Sequence, residues 1–124
     1  MGERTERQVL GADAEDAAAR FLEQQGYRVR ERNFHSRYGE LDVVAEKDEQ
    51  VCFVEVRMRS KAAWGDPSQT VSWAKQRRVV KAALHYLHLN RLFDRMVRFD
   101  VISVVGVGDR AQVEHIPNAF DAGM

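Results

Sequence analysis

The stretch Gly39-Glu40-Leu41-Asp42-Val43-Val44-Ala45-Glu46-Lys47-Asp48-Glu49-Gln50-Val51-Cys52-Phe53-Val54-Glu55-Val56-Arg57 holds the pattern from which the rest of the chain can be read. Two apolar, β-branched runs, 41–45 and 51–56, flank a polar connector of hairpin length, so they predict two antiparallel strands. Glu55 is costly there, because a carboxylate between Val54 and Val56 in an otherwise buried run requires a partner. Side chains alternate along a strand, which puts Phe53, Glu55 and Arg57 on one face, and Glu40, Asp42 and Val44 on one face of the preceding strand. If the two faces coincide, three carboxylates and a guanidinium cluster in the hairpin. Two readings of such a cluster stay open. One is a solvated sheet face with Arg57 paired to Asp42 or Glu40. The other is a divalent-cation site, since two or three carboxylates and a main-chain carbonyl are oxygen ligands that Mg²⁺ accepts.

On the N-terminal side, residues 1–10 lack periodicity and predict a flexible arm. Asp13 and Asp16 then cap an alanine-rich stretch in which Ala14, Ala17, Ala18, Phe21 and Leu22 recur at helical spacing, ending at Gly26. This predicts a helix over about 13–25. Tyr27 to Arg30 alternate as a short strand, and Asn33 to Gly39 supply turn residues. On the C-terminal side, Met58 to Asp66 predict a loop, with Pro67 as a first-turn proline after a cap at Asp66. The stretch Ser68 to Leu89 predicts a long basic helix with Trp73, Val80, Leu84 and Leu87 on its apolar side. Val97 to Val105 predict an interior strand, Gly106 to Asp109 a turn, and Gln112 to Ile116 a last strand halted by Pro117. The order is αβββαββ, with one domain over 11–124.

At 124 residues, 44% apolar and 31% charged, the chain suits one compact domain with one core. A single cysteine, Cys52, rules out an intrachain disulfide framework and a cysteine-based zinc cluster, and points to a reducing, cytoplasmic compartment. No apolar run approaches membrane-spanning length, and no signal peptide is visible. The chain has 19 Lys and Arg against 19 Asp and Glu, which speaks against a globally basic binding mode. The charge is unevenly placed, however: residues 57–98 carry 10 basic and 2 acidic side chains, and both flanks are acidic. Such a block suits a surface for phosphates, or it balances the flanks.

Gly39-Glu40-Leu41-Asp42 followed by Phe53-Val54-Glu55-Val56-Arg57 resembles the acidic core of the PD-(D/E)xK nuclease superfamily. Over about residues 11–120 the chain more closely resembles the UPF0102 (YraN-like) family, described as endonuclease-like and related to archaeal Holliday junction resolvases. That resemblance also rests on Gly11 with Glu15, Gly26-Tyr27, Asn33, Lys75, Arg98-Phe99-Asp100-Val101, His115-Ile116 and Asn118-Ala119-Phe120. It implies an α/β fold with a restriction-endonuclease-like αβββαβ core, a mixed central sheet flanked by two helices. It further implies that Asp42 and Glu55 bind Mg²⁺ or Mn²⁺, that the Val56 carbonyl adds a ligand, that Glu15 reaches in from the first helix, and that Glu40 is a supporting or alternative ligand. Arg57 departs from the pattern, which has lysine there. Arginine stays protonated, so it offsets charge without serving as a base. Lys75 is the candidate to take over the lysine's role.

The expectation is therefore a metal-dependent endonuclease acting on DNA, with Asp42, Glu55, Arg57, Glu15 and Lys75 in the catalytic set and Arg59, Lys61, Lys75, Arg78 and Lys81 holding phosphates. Branched or junction DNA as substrate and a homodimeric assembly are both left open, and no membrane partner is expected. The rival reading is a DNA-binding module or accessory subunit on a nuclease fold that lost catalysis with the lysine. A third is an interaction domain whose acidic cluster is a salt-bridge network. Trp73 reads as core and Trp64 as core or base-stacking in equal measure. His85, His88 and His115 form no convincing ligand set, and His35 reads as exposed loop.

Overall fold

The computed structural model describes residues 6–59, 71–106 and 108–123. Along the chain run α1 (Glu6–Gln24), β1 (Arg28–Ser36), β2 (Gly39–Lys47), β3 (Gln50–Met58), α2 (Trp73–Leu89), β4 (Met96–Val105), a short 3-10 turn (Gly108–Arg110) and β5 (Gln112–Phe120). The five strands form one mixed sheet in sequential order. All neighbours are antiparallel except β3 and β4, which are parallel and joined through α2. The mixed α/β architecture with two helices expected from the sequence is thus present.

The two faces of the sheet bury separate cores. Val51 and Phe53 of β3, with Leu41, Val44 and Phe99, pack against Val79, Val80, Ala83, Tyr86 and Leu87 of α2. Cys52 and Val54, with Val43, Ala45, Ile102 and Val104, pack against Ala14, Ala17, Ala18 and Leu22 of α1. The alternation of β3 accounts for this division, since neighbouring residues serve opposite layers. The alanines let α1 sit close to the sheet.

The sequence expectation needs correction in several places. The first helix begins at Glu6, so residues 6–10 belong to it rather than to an arm. β1 continues to Ser36, because Asn33 takes a positive φ of 55° within the strand instead of ending it. The β2–β3 hairpin closes through Asp48 and Glu49 at φ of 53° and 65°, the left-handed pair that a two-residue turn demands. β5 passes Pro117 and reaches Phe120, which an edge strand with a bulge permits. Trp73 is 74% exposed rather than core, and Leu84 is 40% exposed. The buried face of α2 is centred on Val79, Ala83 and Tyr86, about a third of a turn from the stripe the spacing suggested. Ser72, whose side chain accepts from Lys75 N, caps α2. Lys61, Trp64, Asp66 and Pro67 lie outside the described residues. No described helix is long and apolar enough to cross a membrane.

Candidate active site

The β2–β3 ladder runs from Lys47 opposite Gln50 to Val43 opposite Val54. One step further, the amide of Val56 donates to Asp42 Oδ2 at 2.9 Å instead of to a strand carbonyl. This bond holds the Asp42 carboxylate against β3, where its charge acts on Glu55. Glu55 is only 2% exposed. Burial first, and then the neighbouring Asp42 charge, push its carboxyl up to about 8 from an ordinary 4.5, while Lys75 pulls the other way. Lys75 Nζ, half-exposed on the first turn of α2, stands 3.6 Å from Glu55 Oε1. Gly39, Glu40, Asp42, Glu55, Lys75, Arg78 and Val79 line a pocket of about 290 Å³ between the hairpin and α2. A larger hollow of about 430 Å³, between α1 and the segment before β5, is lined by Arg20, Gln24 and Asp109 and lacks the paired acids of the smaller pocket.

Glu15 approaches from α1. Burial and the Asp42 charge raise its pKa, opposed by a hydrogen bond from the Asn33 side chain and by Arg32. Arg32 Nη2 lies 4.0 Å from Glu15 Oε1 and 2.6 Å from Asp16 Oδ1, and Glu15 Oε1 is buried without a hydrogen-bond partner. The structure therefore strings Glu15, Asp42 and Glu55 into one electrostatic set, with Asp42 in the middle. Glu40 does not join it closely. It is largely exposed at the pocket rim, with Oε1 3.0 Å from His35 Nδ1. Among the described residues no group of three or more His, Cys, Asp or Glu side chains converges tightly enough to hold a metal ion.

Arg57 follows Glu55 on the same strand face, and burial and the charge of Arg59 lower its pKa while Glu55 raises it. The Arg59 amide still bonds Val104 O at 2.9 Å, and its Nε is buried without a hydrogen-bond partner. Arg78 lines the pocket, whereas Lys81, exposed one turn further along α2, does not. His115 lies elsewhere, bonded to Asp100 at 2.8 Å, and His88 packs near Phe93. His85 and Tyr38 lie with their ring centroids 5.2 Å apart, and Tyr38 was not among the residues singled out from sequence. Its position in a turn gave no periodicity to read. The one available signal was its place between Arg37 and the acidic hairpin.

A family model described as "Uncharacterised protein family UPF0102" matches residues 14–104. A UPF0102 protein of Myxococcus xanthus is 70% identical over 119 residues, covering 96% of this chain and 94% of that relative. One from Trichlorobacter lovleyi is 49% identical, over 92% of this chain and 91% of its own length. One from Geobacter metallireducens is 45% identical, over 90% and 92%.

Proposed function

The chain belongs to the UPF0102 family, and from that footing together with the acidic pocket we propose that it is a metal-dependent endonuclease hydrolysing phosphodiester bonds in DNA. The observation that carries this reading is Glu55, a carboxylate buried in a strand beside a second carboxylate and a lysine at the wall of an open pocket. Stability alone gives little reason to keep such a pair, since burying like charges is expensive.

The residues fit a hard divalent cation. Asp42 and Glu55 offer oxygen donors whose mutual repulsion a positive ion would relieve, and Glu15 Oε1 is a buried oxygen with no hydrogen bond to satisfy it. We assign Asp42, Glu55 and the Val56 carbonyl to hold Mg²⁺ or Mn²⁺, with Glu15 supporting from α1. Such an ion, when bound, supplies Lewis acidity toward a phosphate oxygen and lowers the pKa of water. The chain's own contributions are separate. The Val56 amide fixes the Asp42 carboxylate. Lys75 brings an ammonium to Glu55 and meets phosphate charge. Arg57, always protonated, contributes charge without acting as a base. Arg78, with Lys81 further along the helix, extends positive charge for flanking phosphates.

Incubation of purified protein with branched, flapped, single-stranded and duplex DNA, with and without Mn²⁺, tests the reading. Metal-dependent cleavage that Glu55→Gln abolishes supports it. A second reading, a binding module that no longer cuts, is favoured by Arg57 standing where the nuclease pattern that the hairpin resembles has lysine. DNA binding with no cleavage under any metal would establish that reading instead.

A further inference from the structure

Next to the acidic pocket, the β1–β2 turn carries a partly exposed aromatic side chain that the proposed chemistry does not use. Tyr38 is 37% exposed, with the Arg37 guanidinium 4.9 Å from its ring centroid and Arg37 Nη2 donating to its hydroxyl at 2.7 Å. His85 of α2 lies 5.2 Å from it on another side. The turn is pressed onto α2. A Cβ at Gly39 would come within 3.2 Å of Arg78 O, and the residue sits at a φ of 150°, so glycine there allows the approach. Gly39 and Arg78 also line the pocket that holds Asp42, Glu55 and Lys75, so Tyr38 directly precedes a residue of the pocket wall. The cation set against the ring is Arg37. Glu40, two residues along, is bonded to His35.

We propose that Tyr38, backed by His85 and flanked by Arg37, is a stacking platform for an unpaired base of a DNA strand whose backbone crosses the acidic pocket. An aromatic ring with a guanidinium group beside it matches the two parts of a nucleotide, a flat apolar base and an anionic phosphate. A peptide partner would need hydrogen-bonding edges or an apolar cleft, whereas a single ring beside a guanidinium offers neither. Duplex DNA keeps its bases stacked on one another, so the platform selects single-stranded or flapped DNA. This proposal rests on the nuclease reading for its choice of ligand, and it gives that reading a substrate class.

The test is fluorescence anisotropy with a labelled single-stranded oligonucleotide and its duplex, in chelator so that nothing is cut. Alongside it, 2-aminopurine emission is read from an oligonucleotide carrying that base. Tyr38→Ala is expected to weaken single-strand binding roughly tenfold and to remove the quenching of 2-aminopurine, with little change for duplex. Tyr38→Trp, which keeps a stacking face, is expected to retain both signals. Equal affinity of wild type and Tyr38→Ala for single strands would overturn the platform, and so would an equal loss on both forms of DNA. Either result would leave Glu55-dependent, Mn²⁺-dependent cleavage untouched. Conversely, Tyr38-dependent binding without any cleavage would keep the platform while removing the nuclease.

Discussion

The amide of Val56 donates to a side chain, Asp42 Oδ2, at 2.9 Å, at the point where the β2–β3 ladder has just given out. One carboxylate therefore does the work of a strand carbonyl and at the same time stands against the buried Glu55. Alternation along two strands is enough to bring the two acids to one place, but their close approach depends on the strands parting at this step.

Asp42→Ala leaves the Val56 amide without its acceptor, whereas Asp42→Asn keeps an oxygen in that place. Urea unfolding near pH 6, where Glu55 is mostly protonated, should show the alanine variant less stable than the asparagine variant by about 1–3 kcal/mol. Equal stability of the two would mean that water replaces the bond at no cost.

Glu55 has a folded-state pKa raised to about 8 from an ordinary 4.5. The folded state therefore holds its proton more tightly than the unfolded one, and stability falls as pH rises between those values. Below the lower value the effect vanishes; above the upper it is complete. Glu55→Gln, a neutral near-isostere, should melt higher than wild type near pH 9, by on the order of 5 °C, with the gain shrinking toward pH 5. A pH-independent difference would show that Glu55 is ionised or neutral alike in both states.

A cation that binds the folded site raises the melting temperature by mass action. Near pH 9, where Glu55 is charged, millimolar Mg²⁺ should stabilise wild type by a few degrees and Glu55→Gln or Asp42→Asn much less. The same shift in all three proteins would move the ion to another part of the surface.

Arg57 and Lys75 are the two candidates for the role that a single lysine plays in the pattern this hairpin resembles. If Arg57 handicaps the site, Arg57→Lys should raise metal-dependent cleavage by roughly tenfold or more, and Arg57→Ala should lower it. If Lys75 carries the role, Arg57→Lys changes little and Lys75→Ala abolishes cleavage. Initial rates on one flapped substrate separate the two cases.

Glu55 was conspicuous in the sequence because burial and charge conflict in a single strand, and period-two alternation brought Asp42 to it. The position of Lys75 could not be read in the same way, since it depends on how α2 crosses from β3 to β4. The helix itself was legible, but its rotation was not. Trp73 and Leu84 have the hydrophobicity of core residues, yet Ala82 and Ala83 let the helix approach the sheet on a neighbouring face, where Tyr86 also reaches Arg30. The first turns of α1 lack apolar periodicity and so looked like an arm. β1 was cut short because Asn33 is a turn former by composition and a left-handed strand residue in fact. Tyr38 was missed because an aromatic in a turn has no spacing to betray it.

Asp100, fully buried, accepts from Arg98 Nε and Nη2 at 2.8 Å each, from the Asn118 amide at 2.9 Å, and lies 2.8 Å from His115 Nε2. Burial alone would raise its pKa, but these bonds, with His115 foremost, hold it below the ordinary carboxylate value. A depressed folded pKa contributes stability above the unfolded value, lost as pH falls through the folded one, so this group should weaken the protein only in acid. Asp100→Ala removes the counter-charge of Arg98 and the acceptor of the Asn118 amide, and should cost about 3–5 kcal/mol in denaturant unfolding near pH 7, more than any pocket substitution above.

The bond from Asn118 to Asp100 has an effect at the rim of the molecule as well. Two extra residues, Pro117 and Asn118, are taken up in β5 between the pairs Val101–Ile116 and Phe99–Phe120. An outermost strand normally presents an unbroken row of donors and acceptors on which a stray chain can grow. Here that row is interrupted by a residue with no N–H to offer and by another whose N–H is turned inward to a buried carboxylate. The same contact that satisfies a buried acid thus makes this border of the sheet a poor template for runaway strand addition, a protection against aggregation built from an internal charge.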